Sequence, residues 1–118
     1  MSKYGNKATF FQGAKYDSRL EADYALRLEA RLRAGELTRI QRQVPFILYG
    51  RNNTPVCTYK ADFVVTTREG IRQVHEAKGV NTAVWQLKKK LFLDCYPDIP
   101  LYINGVRVLP KRARKKAS

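Results

Sequence analysis

Asp62, Glu76 and Lys78 are the residues of this 118-residue chain whose types and spacing best suit hydrolytic chemistry on a phosphate. Hydrolysing a phosphodiester needs a water made nucleophilic at neutral pH and a stabiliser for the negative charge growing on the phosphate; carboxylate-held magnesium supplies both. Residues 59–65 alternate as a strand, with Tyr59, Ala61, Phe63 and Val65 expected on one face and Lys60, Asp62 and Val64 on the other. Arg68, Glu69 and Gly70 make a turn, and residues 71–78 return as a second strand that carries Glu76 and Lys78 on one face. Asp62 and Glu76 can then meet across the hairpin, with Lys78 placed to orient the water or hold the phosphate. The Ala77 carbonyl between them is a further oxygen ligand.

The elements that must position these residues are marked by local chemistry. Ser18 opens a segment in which Leu20, Tyr24, Leu28 and Leu32 recur every four positions, which predicts a helix up to Gly35. Residues 37–49, with Pro45 inside them, read as including an edge strand, and residues 50–55 as a turn-rich loop. Asn81 or Thr82 can cap a second helix that runs to about Tyr96, with Val84, Leu87 and Leu91 as its apolar stripe. Asn104-Gly105 between two short apolar runs is a hairpin signal. Residues 9–11 offer a short strand within a polar, basic arm. Helix, antiparallel strands and helix give an α/β sandwich. The organisation expected is an N-terminal arm over 1–17, one domain over 18–110 and a basic flexible tail over 111–118.

Composition bounds the partners. A chain of this length holds one core. Its 44% hydrophobic residues exclude wholesale disorder, and no apolar run approaches the ~20 residues of a bilayer span. The first residues lack the apolar stretch of a secretory leader, so a cytoplasmic location is expected, without membrane association. Cys57 and Cys95 lack metal-site spacing and read as reduced, structural thiols. With 23 Lys and Arg against 10 Asp and Glu, the net charge of +13 calls for a polyanionic partner, and nucleic acid is the leading candidate. Lys3, Lys7, Lys15, Lys60, Lys88, Lys89, Lys90, Lys111, Arg112 and Arg114 are the expected DNA contacts.

Asp62 followed by Glu76-Ala77-Lys78 resembles the motif of the PD-(D/E)XK nuclease superfamily, with Ala61 standing where proline gives the motif its label. Glu21 matches an upstream acid that many members contribute to the metal. Over residues 4 to about 103, Tyr4-Gly5-x-Lys7, Ser18-x-Leu20-Glu21, Tyr59-x-x-Asp62-Phe63 and Glu76-x-Lys78-Gly79 are similar to the junction-resolving phage endonuclease I group. The resemblance implies a restriction-endonuclease-like core, a central mixed sheet flanked by helices. It also implies a homodimer that cuts branched DNA such as Holliday junctions with Mg2+, or Mn2+ as substitute. Glu21, Asp62, Glu76 and Lys78 take the catalytic roles, with the metal held by Asp62, Glu76, Ala77 and Glu21.

Plainer readings stand beside these. Glu21, three residues after Ser18, fits a capping box. Asp62 can be a salt-bridge partner of Lys60 or Lys78, and Glu76 and Lys78 a solvated strand face. His75 points away from Glu76 and suits sheet packing better than general-base work. Trp85 suits the core better than a stacked base, and Lys88 to Lys90 can be a solvated helix face. Two other functions compete with the junction enzyme: a less selective nicking or restriction-like nuclease, and a non-catalytic nucleic-acid-binding module. A binder gains nothing from gathering negative charge where phosphate must approach.

Overall fold

Ser18 starts helix α1 (Arg19–Arg33) as its sequence predicts: its Oγ accepts from the Glu21 N–H at 3.2 Å. The helix stops at Ala34, where Gly35 takes a left-handed turn (φ +84) and Glu36 N–H closes onto the Arg31 carbonyl. The computed structural model describes residues 9–11, 14–16 and 18–110. Within them, strands β1 (Thr9–Phe11) and β2 (Ala14–Tyr16) pair antiparallel ahead of α1. The expected contacts Lys3, Lys7, Lys111, Arg112 and Arg114, the Lys15 side chain and the 111–118 tail lie outside the described residues.

After α1 the chain forms β3 (Leu37–Tyr49), a short 3-10 turn (Arg51–Asn53), β4 (Pro55–Thr67) and β5 (Arg72–Glu76). Helix α2 (Ala83–Cys95), capped by Thr82, then crosses to β6 (Leu101–Ile103), parallel to β5. Strand β7 (Val106–Val108) turns back through Asn104 and Gly105, both at positive φ as a two-residue hairpin turn demands. The sheet order β3-β4-β5-β6-β7 is mixed, with a helix on each face: an α/β fold. Strand β3 is an edge, which is why Pro45 is tolerated there. Among the described residues no helix is long and apolar enough to cross a membrane.

The simple alternation expected along β4 fails at Asp62. Tyr59, Ala61 and Val64 join the core beneath α2, whereas Phe63 and Val65 join the core beneath α1. Strand β3 changes face at the same level, since Val44, Phe46 and Leu48 pack toward α2 but Ile40 and Leu37 toward α1. The pairing register is the same on both sides, Val44 with Ala61 and Arg42 with Phe63, so no residue is inserted. The switch is made by Gln43, opposite Asp62, whose backbone is left-handed at φ +53. For a non-glycine residue that conformation costs about 1–2 kcal/mol.

Helix α2 also differs from expectation. Trp85 and Phe92 are its buried residues, while Val84 (64% exposed) and Leu87 (59%) face outward and Leu91 is only partly covered. Burial of the two large aromatics outweighs that of three aliphatics and sets the rotation of the helix. Phe92 packs against Phe46 and Tyr59 with centroid separations of 5.2 and 5.5 Å. Phe92→Ala is therefore expected to cost about 3–5 kcal/mol in equilibrium unfolding, and Leu87→Ala no more than about 0.5 kcal/mol. The reverse order of effects would restore the aliphatic stripe as the packed face.

Candidate active site

The break in alternation brings Asp62 and Glu76 together at the end of β5. Asp62 pairs in the ladder with neither Gln43 nor Glu76, and its N–H donates instead to Glu76 Oε1 at 3.3 Å. The same oxygen accepts from the Tyr59 hydroxyl at 2.6 Å. Glu76 Oε2 is left facing the Lys78 ammonium, 3.8 Å away. Asp62 Oδ2 accepts from the Ala77 N–H at 3.0 Å.

Strand β5 ends at Glu76, so Ala77 and Lys78 are held by other means than the expected strand. Asn104 N–H donates to the Glu76 carbonyl at 2.9 Å, and its side chain clamps Lys78, accepting from its N–H at 3.0 Å and donating to its carbonyl at 2.8 Å. The Lys78 ammonium rests 4.9 Å from the centroid of the Trp85 ring, a cation–π contact that holds it beside Glu76. Trp85, 4% exposed, is a core residue as its helix position favours.

Burial first, and the neighbouring Glu76 charge second, push the Asp62 carboxyl well above the usual carboxylate range. Burial likewise raises Glu76, against the pull of Tyr59, the Asp62 N–H and Lys78. Burial also raises Tyr59, followed by the charge of Glu76, so its hydroxyl stays protonated and donates. Two carboxylates and one ammonium thus share a desolvated corner, an arrangement that favours uptake of a proton or a cation.

Glu21 lies elsewhere. It is 4% exposed, and its Oε2 meets the Arg42 guanidinium at 3.2 Å and the Gln43 amide at 3.0 Å. Among the described residues no three His, Cys, Asp or Glu side chains form a group that could hold a metal, so the expected convergence of Glu21 with Asp62 and Glu76 is not formed. The Ser18 half of the capping box is made, while the Glu21 carboxylate reaches across to β3. His75, on the opposite face from Glu76, hydrogen-bonds Tyr24 and Gln73 and stacks on Tyr102; burial, then the charge of Arg31, lower its pKa to about 4. Cys57 and Cys95 are unbridged, and Cys95 bonds the Tyr49 backbone. Of the expected DNA contacts within the described residues, Lys60 and Lys90 are exposed and Lys88 and Lys89 half-buried.

Tyr59, Asn104, Arg42 and Gln43 are parts of this neighbourhood that sequence reasoning did not assign. Asn104 was hidden by its other use, as the first residue of a hairpin turn. Tyr59 carried a weak signal, a phenolic hydroxyl in a row of alternate residues, Tyr59, Ala61, Phe63 and Val65, that is otherwise apolar.

The family model for DUF1064, described as a protein of unknown function, matches residues 1–109, and the chain belongs to that family. No curated protein matches the chain. No solved structure matches it.

The electrostatics of the corner can be probed independently of catalysis. A carboxyl whose pKa is raised on folding stabilises the native state fully below its unfolded value near 4, and that stability is lost as pH rises through the folded value. Asp62→Asn keeps an acceptor for the Ala77 N–H and carries no charge. In metal-free buffer at pH 8 it is expected to melt about 5 °C above wild type, the gain shrinking toward pH 4 in thermal scans. A variant melting below wild type at pH 8 would make Asp62 an ordinary salt-bridge partner.

Proposed function

We propose that this protein is a metal-dependent endonuclease that hydrolyses DNA phosphodiester bonds, with a restriction-endonuclease-like core of the PD-(D/E)XK type. The observation that carries this reading is the buried Asp62–Glu76 pair with Lys78 beside it. The pair is costly to the fold, and a structural salt bridge with Lys78 would need only one of the two carboxylates.

The donor set suits a hard cation. Mg2+ usually takes one or two protein carboxylates and completes its shell with water and substrate phosphate, so Asp62 and Glu76 suffice, with Mn2+ as a substitute. The Ala77 carbonyl is the further oxygen donor of this proposal. When bound, the ion supplies an acidified water and charge stabilisation at the phosphate.

The chain's own residues do the positioning. Tyr59 and the Asp62 N–H both hold Glu76 Oε1, which leaves Oε2 toward the Lys78 ammonium. Trp85 and Asn104 fix Lys78 from the ring face and the backbone, so that its ammonium can meet the scissile phosphate without a rotamer search. Lys60 and Lys88 to Lys90, within a chain of net charge +13, contact phosphates along the duplex. Branched DNA and a homodimer complete the proposal: two cuts at a junction need two sites, and twofold symmetry provides them.

Glu76→Gln is expected to lower single-turnover cleavage of labelled four-way junction in Mg2+ by at least about 100-fold while junction affinity holds or rises. Lys78→Ala is expected to lose about 100-fold in rate with less than about tenfold in affinity. Linear duplex, flap and mismatch substrates run in parallel decide selectivity. Wild-type rates in both variants would exclude this site, and no cutting of any substrate by wild type would leave a nucleic-acid-binding module.

A further inference from the structure

Glu76 offers an incoming cation one oxygen. Its Oε1 already accepts from the Tyr59 hydroxyl at 2.6 Å and from the Asp62 N–H at 3.3 Å, while Oε2 faces the Lys78 ammonium at 3.8 Å. The ammonium therefore stands at the oxygen that the proposed metal site requires. Burial raises both Asp62 and Glu76 before all else, and Lys78 is the basic side chain whose charge pulls both of them back.

Lys78 is placed to leave as well as to stay. At 3.8 Å its ammonium neutralises Glu76 by charge, beyond the 2.7–2.9 Å of a direct charge-assisted hydrogen bond. Asn104 holds the Lys78 backbone at both its N–H and its carbonyl, so movement is confined to the side chain. That side chain is 33% exposed against 5% for Glu76, and it can swing outward without crossing the core. The Trp85 face, 4.9 Å from Nζ, keeps a favourable contact for the ammonium away from Glu76. An ammonium and a divalent cation cannot share Oε2, because like charges that close repel strongly where there is little water.

We propose that the Lys78 ammonium is the resident counter-ion of the metal-free corner, and that a divalent cation gains Glu76 Oε2 only by displacing it. Lys78 thus limits metal affinity. The proposal rests on the endonuclease reading and gives one side chain two successive partners: the acidic pair before the cation enters, and a substrate phosphate once the cation has taken its place.

The test compares wild type, Lys78→Met and Lys78→Arg by calorimetric titration with Mn2+ alone and by thermal unfolding with and without Mn2+. Methionine keeps a straight apolar stem without charge; arginine keeps the charge. In metal-free buffer at pH 8, Lys78→Met is expected to melt a few degrees below wild type, since the acidic pair has lost its counter-ion. It is nonetheless expected to bind Mn2+ about tenfold or more tightly than wild type. Mn2+ then raises its melting temperature by more than that of wild type, a comparison that holds even for a marginally stable variant. Lys78→Arg is expected to stay within about threefold of the wild-type affinity. Mn2+ affinity in Lys78→Met equal to or below that of wild type overturns the proposal, as does tightening of the same size in Lys78→Arg. Failure of all three proteins to bind Mn2+ overturns the endonuclease reading, and the competition with it.

Discussion

The carboxylates of Asp62 and Glu76 repel one another in a corner with little water, and the local structure is arranged to keep them there. A buried anion pair with a single ammonium, 3.8 Å from one of its oxygens, gains less from Coulomb attraction than it loses in desolvation. Each carboxylate is nonetheless given donors: Asp62 takes the Ala77 N–H, and Glu76 takes the Tyr59 hydroxyl and the Asp62 N–H. These bonds satisfy one oxygen of each group and fix its orientation while leaving excess negative charge in place. Such an arrangement makes sense where a cation is to be received.

The fold supplies the means. In a regularly alternating β4, Phe63 would share a face with Tyr59 and Ala61, and the Asp62 N–H would be spent in the ladder. The left-handed Gln43 on the edge strand interrupts pairing at one level, turns Phe63 and Val65 toward α1, and frees the Asp62 N–H for Glu76. On the other side, the β6–β7 turn places Asn104 against the backbone that leaves β5, so Lys78 is held where strand pairing has ended. Trp85, buried by α2, offers its ring to the Lys78 ammonium. Core packing and site geometry are here the same set of contacts.

Much of this architecture was legible because its markers are local. Ser18 and Thr82 as caps, Gly35 as the end of α1, the turn at Arg68 to Gly70 and the Asn104-Gly105 hairpin each act through their own backbone chemistry. The nearness of Asp62 and Glu76 was readable from the hairpin register, whereas Lys78, expected on the same strand, lies past the end of β5 and is placed by Asn104 and Trp85. What was not legible depends on tertiary choice. The rotation of α2 follows from aromatic burial against Phe46 and Tyr59 rather than from aliphatic spacing. The change of face at Asp62 is caused by a residue on another strand, and a period-two pattern in β4 carries no trace of it. Tyr59 and Asn104 gain their roles only when the sheet closes, and Glu21 turns to Arg42 and Gln43 for the same reason.

Whether the Asp62–Glu76 corner receives a divalent cation is tested most directly by crystals grown with Mn2+ and measured at a wavelength where manganese scatters anomalously. The expected result is an anomalous peak about 2 Å from one oxygen of Asp62 and from Glu76 Oε2, with the Tyr59 hydroxyl still on Oε1. Anomalous density confined to other acids, with the corner unchanged, would contradict a cation-receiving role for the pair.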